Sequence, residues 1–162
     1  MNDSTHASGY LSFISAVAAL GGFLFGYDTA VISGAIGPLR TFFGLDAVEM
    51  GWAAASGLLG CILGASGAGV ASDRFGRKKI LVLSAVFFAV SAVWTAFPAN
   101  FTQFAFARMI GGIGVGIASM VSPMYIAEVA PAGIRGRLVS YNQFGIVVGI
   151  LIVYFVNYYI AG

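Results

Sequence analysis

Charge is scarce in this sequence. Asp, Glu, Lys and Arg together make up 9% of its 162 residues, against 59% hydrophobic. Ordinary soluble domains carry about 25% charged residues. So little polar surface cannot cover so much apolar chain in water, and the composition predicts an integral membrane protein. There is one cysteine, Cys61, inside an apolar stretch. It excludes a disulfide within the chain and reads as a small packing residue. The one histidine, His6, lies near the N-terminus, and no nucleophile–base or metal-ligand spacing is present. The pattern therefore argues against an enzyme and against a metal site. A net charge of +2 is too small to point to nucleic acid. Residues 1–10 hold no Lys or Arg, and the apolar run behind them is too long for a signal-peptide core. That run is expected to be a retained membrane helix.

What is present is apolar sequence in long runs. Five spans are predicted, at about 11–36, 48–71, 80–97, 101–124 and 138–160, each near the roughly 20 residues that cross a bilayer. The connections are short, with Pro98-Ala-Asn as a tight turn and Ser72 to Lys79 as a compact charged loop. Short loops make successive spans antiparallel. Arg74, Arg77, Lys78 and Lys79 follow the second span, and Arg135 and Arg137 follow the fourth. The opposite side has only Arg40. By the positive-inside rule the basic side is cytoplasmic, which puts the tail 1–10 inside. The domain division is then a cytoplasmic tail, 1–10, and a transmembrane unit, 11–162.

Glycine is abundant and ordered. Gly22/Gly26, Gly60/Gly64, Gly112/Gly116 and Gly145/Gly149 are each spaced by four. Small residues at that spacing let helix backbones approach closely in lipid. They fall on spans one, two, four and five. The third span has no glycine and no ionisable residue beyond its start, and is expected at the periphery facing lipid.

Two charges lie deep inside the spans. A charge near the bilayer centre costs roughly 2.5–3.5 kcal/mol on insertion scales, and such residues commonly mark a substrate or proton pathway. Asp28 is eight residues before the outer end of the first span, and Arg108 is seven after the outer start of the fourth. At about 1.5 Å per residue both sit roughly 10–12 Å below the outer interface. An acid and a base at equal depth on separate helices are expected to pair. One reading is a carboxylate whose protonation follows its distance from Arg108; the other is a static ion pair that fixes packing.

Longer motifs narrow the choice. The loop Gly69-Val-Ala-Ser-Asp-Arg-Phe-Gly-Arg-Lys-Lys79 resembles the signature of the major facilitator superfamily between its second and third helices. Gly21-Gly-Phe-Leu-Phe-Gly-Tyr-Asp-Thr-Ala-Val-Ile-Ser-Gly34, Arg108-Met-Ile-Gly-Gly-Ile-Gly-Val-Gly116, Pro123-Met-Tyr-Ile-Ala-Glu-Val-Ala-Pro131, Ile134-Arg-Gly-Arg137 and Asn142-Gln-Phe144 are similar to further segments of its sugar porter family. The resemblance implies an all-α membrane fold of two six-helix halves that transports by alternating access. The five spans would form most of the N-terminal half, with the remaining helices of the transporter as partners.

Carried over residue by residue, the resemblance implies a proton-coupling acid at Asp28 with Arg108 as its partner. It implies sugar contacts at Phe25, Gln143, Ile146 and Ile150. It implies an intracellular charge network of Asp73, Arg74, Arg77, Glu128 and Arg135. Facilitative relatives often carry Asn in place of Asp28, so the acid favours symport; isoleucine at 150 leans toward a hexose. A proton-coupled sugar transporter of a cell inner membrane is the function expected, with the proton as coupling ion and no other cofactor. A facilitative uniporter, a transporter-like sugar sensor and a non-functional fragment are the alternatives.

Overall fold

The computed structural model describes the backbone of residues 3–161 and the side chains of residues 19–160. Five helices follow in order: α1 (Asp3–Phe43), α2 (Ala47–Phe75), α3 (Arg77–Ala96), α4 (Phe101–Val129) and α5 (Arg135–Ala161). All five contain a segment long and apolar enough to cross a membrane. The helix α1 runs back through most of residues 1–10; His6 and the other side chains before residue 19 lie outside the described residues.

The helices run past the ends of the apolar spans. Helix α1 continues to Phe43 through Pro38, and α4 continues to Val129 through Pro123. A proline inside a helix removes one backbone hydrogen bond and crowds the carbonyl four residues back, yet membrane helices tolerate it where neighbours support the chain. The charged segment Ser72–Lys79 is not an open loop. Helix α2 persists to Phe75 and α3 begins at Arg77, so the turn narrows to Gly76 at φ 91°. That left-handed conformation needs glycine. On the other side, Asp46 caps α2: its carboxylate accepts from the Glu49 backbone at 2.7 Å while the Glu49 carboxylate accepts from the Asp46 backbone at 3.1 Å. The Asp-x-x-Glu spacing gives a reciprocal cap at the start of the helix.

Glycine decides how the helices pair. A side-chain carbon on Gly22 or Gly26 would run into the backbone of Asn142 or Ile146, and one on Gly145 or Gly149 into that of Ala19 or Phe23. Helices α1 and α5 therefore touch backbone to backbone, running parallel. The same holds for α2 and α4, where Gly60 and Gly64 meet Met109 and Ile113, and Gly112 and Gly116 meet Gly57 and Cys61. All four glycine pairs lie in these two seams. Helix α4 carries two further glycines toward α3: Gly111 meets Ser91, and Gly114 meets Ser84 and Phe87. It is the hub of the bundle, packed on each of the other helices and the most buried of the five. Helix α3 packs mainly on α4 and keeps most of its surface exposed.

Candidate functional site

The first element of the site is an ion pair at the crossing of α1 and α4. Arg108 donates from Nη1 to Oδ1 of Asp28 at 2.5 Å. Both side chains are largely withdrawn from solvent, at 10% and 16% exposure. Each charge offsets the desolvation of the other, which neither could meet alone. The guanidinium fits because Gly57 of α2 has no side chain: a Cβ there would lie 2.9 Å from Nη2 of Arg108. Three helices thus converge on one arginine. The contact uses one of five guanidinium donors, and the buried Nε has no partner. Sequence reading missed Gly57, because a glycine three residues before the Gly60/Gly64 pair looks like one more packing residue.

The second element is a wall on α5. Gln143, Ile146 and Ile150 follow one another at three- and four-residue spacing and share a face. Gln143 is exposed, and Ile146 and Ile150 are half-buried. On this wall an amide stands beside two branched aliphatic side chains, the mixture that hydroxyls and a ring face together require. Phe25 lies on α1 between Gly21 and Asp28, on the helical stripe i, i+4, i+7, and is half-buried.

The third element is at the opposite end of α4 from Phe101. Arg77, at the start of α3, donates from Nε to Oε1 of Glu128 at 2.9 Å and pairs through Nη1 with Oδ1 of Asp73 at 2.6 Å. One arginine joins the ends of α2, α3 and α4. The other two residues expected in this network are placed differently. Arg74 lies over the ring of Phe75 at 5.6 Å, and Arg135 donates to the backbone carbonyl of Ala130 at 3.4 Å. Neither makes an ion pair among the described residues.

Comparison with known proteins gives the family. The family model for the sugar (and other) transporter matches residues 14–162. The D-xylose-proton symporter of Escherichia coli (strain K12) is 48% identical over 98% of this chain and 38% of the relative. The glucose transport protein of Synechocystis is 49% identical over 99% of this chain and 34% of the relative. The arabinose-proton symporter of Bacillus subtilis is 44% identical over 94% and 33%. Among solved structures, the major facilitator proton:xylose symporter XylE bound to 6-bromo-6-deoxy-D-glucose superposes with a TM-score of 0.89 at 48% identity, over 95% of this chain and 38% of the other. Its inward-open conformation gives 0.85. The chain therefore spans about a third of the length of the curated relatives it matches. The family comprises transporters rather than enzymes. With five membrane-spanning helices, the glycine seams and a match across nearly its whole length, the chain belongs to the sugar (and other) transporter family of the major facilitator superfamily.

Proposed function

We propose that this chain builds most of the N-terminal half of a proton-coupled monosaccharide transporter that works by alternating access. The buried Asp28–Arg108 pair carries the reading. A static pair at this crossing would gain little over apolar packing. A carboxylate that bonds a single arginine can instead take up a proton when that contact opens. Separation of α1 from α4 would leave a buried charge without its partner, a cost that binding a proton would relieve. Proton uptake and a change of helix packing then become one event.

Gln143, Ile146, Ile150 and Phe25 would supply this half's share of the sugar contacts. Isoleucine at 150 supports a hexose, as does the likeness to a glucose transport protein; the likeness to xylose and arabinose symporters keeps pentoses as competitors in the test. The contacts of Arg77 with Asp73 and Glu128 would hold the cytoplasmic ends closed, with Arg74 and Arg135 joining as the ends move. Exposed pairs are worth about 0–1 kcal/mol each, so such a latch biases an equilibrium rather than locking it. The membrane would be a bacterial inner membrane, with the N-terminus cytoplasmic.

The test is uptake of radiolabelled glucose and xylose by the full-length parent, with and without a proton uncoupler. Accumulation of glucose that the uncoupler abolishes is the expected result. Uptake that only equilibrates across the membrane and ignores the uncoupler would show a uniporter and overturn the coupling. Absence of uptake of either sugar would overturn the transport reading.

A further inference from the structure

Eight of the nine serines with described side chains bond a backbone carbonyl. Among the described residues, seven of them bond a carbonyl three or four residues back in their own helix, as Ser119 does to Gly116 at 2.9 Å. Ser91 bonds across to the carbonyl of Ala107. Ser122 does neither. It is 1% exposed, and its Oγ has no partner. The hydroxyl stands instead against Gly21 of α1, where a side-chain carbon would collide with it.

A second orphan lies beside it. Asn142 of α5 is 7% exposed, and its Oδ1 also has no partner. That oxygen would be 2.8 Å from a side-chain carbon on Gly22. Gly21 and Gly22 are neighbours, so both orphans face one short stretch of α1. The packing of α4 on α5 brings them toward each other. Ile126 and Leu138 belong to one buried cluster where these antiparallel helices meet. Ser122 is one turn before Ile126 and Asn142 one turn after Leu138, which makes them the next facing layer. Each is a buried oxygen, and an unmet buried polar group is strongly disfavoured. They are not bonded to each other.

We propose that Ser122 Oγ and Asn142 Oδ1 share one buried water molecule at the junction of α1, α4 and α5, seated against Gly21 and Gly22. The chemistry fits a water and little else. Oδ1 needs a donor, the serine hydroxyl can donate or accept, and a water satisfies both at once. A third acceptor lies close by in sequence: Pro123 has no N–H, so the carbonyl of Ser119 lacks its usual helical donor. Buried waters typically make about three hydrogen bonds to such groups.

The position sets what this water does. Arg108, Val115 and Ser122 recur every seven residues on one face of α4. Val115 is 3% exposed and stands as an apolar layer between the ion pair and the polar junction. The water is therefore a joint between α4 and α5, beside the paired glycines of α1.

The test uses the full-length parent. A structure at a resolution that shows ordered water should place density within about 2.7–3.2 Å of both Ser122 Oγ and Asn142 Oδ1. A direct bond between the two side chains, or a junction without density, would overturn the proposal. Thermal unfolding of Ser122→Ala, Asn142→Leu and the double variant gives a second readout. A shared water predicts that each single change lowers the midpoint and that the double lies no lower than the worse single. Shifts that add fully would mean two unrelated sites and would overturn it. Where a variant does not fold, the density in the unsubstituted protein decides.

Discussion

An Asp28→Asn change keeps the shape of the side chain and removes its ability to ionise. In the full-length parent it should abolish accumulation against a gradient while sparing exchange of sugar down its gradient, measured as uptake and counterflow in vesicles. Unchanged accumulation would show that the pair with Arg108 is only structural. Gln143→Ala tests the other wall. A neutral hydrogen bond contributes about 0.5–1.5 kcal/mol net, so affinity by calorimetry should fall several-fold with the fold intact. At this scale the ion pair was legible in sequence, because a charge inside an apolar run is its own signal. Asp28 and Arg108 announced themselves, and equal depth predicted their contact. Gly57, Ser122 and Asn142 did not. A glycine that makes room for a guanidinium looks the same in sequence as one that makes room for a backbone. A small polar residue in a helix ordinarily bonds its own carbonyls, and only the packed structure shows which one does not.

The helices were visible from composition, but their ends were not. A hydropathic run marks what lies in lipid, whereas a helix ends where its backbone hydrogen bonds end. The apolar spans stop at about 36 and 124, yet α1 and α4 run on to Phe43 and Val129, through Pro38 and Pro123. Ser72–Lys79 looked like a loop because it is charged, yet Gly76 alone makes the turn. The spacing of glycines did give the seams, though not which helix faces which. The two kinds of glycine on α2 separate cleanly. Gly60 lies against the backbone of Met109, whereas Gly67 has nothing within 4 Å. Gly60→Leu should therefore force α2 from α4 and leave a much reduced folded yield in detergent. Gly67→Leu should behave as the parent, since its side chain would point into open space. Fluorescence-detected size-exclusion chromatography of both variants in the full-length parent measures the difference. Equal loss in both would mean that glycine serves here through backbone freedom rather than close approach.

The molecule has two ends of unequal charge, and its contacts fix which residues share each end. The bonds of Arg77 to Glu128 place the α2–α3 turn beside the end of α4, from which the chain passes directly to Arg135 and Arg137. Six of the eight basic residues gather there: Arg74, Arg77, Lys78, Lys79, Arg135 and Arg137. The rings of Phe43 and Phe101, 6.4 Å apart, bring the end of α1 beside the start of α4 at the other pole. Arg40 is there, together with Asp46 and Glu49. Arg108 is buried between. Translocation disfavours Lys and Arg near the ends of membrane helices, and orientation follows that bias more than net charge. The six-residue pole should therefore face the cytoplasm, and Arg40 the outside. Single cysteines at Lys79 and at Arg40, introduced into a Cys61→Ser full-length parent, test this with a thiol reagent that cannot cross membranes. Both positions are exposed, so each should react once reached. In intact cells Arg40→Cys should label and Lys79→Cys should not; in inside-out vesicles the pattern should reverse. Labelling of Lys79→Cys in intact cells would invert the whole bundle. It would also put the Arg77–Glu128 contact on the outer face, where it could not serve as a cytoplasmic latch.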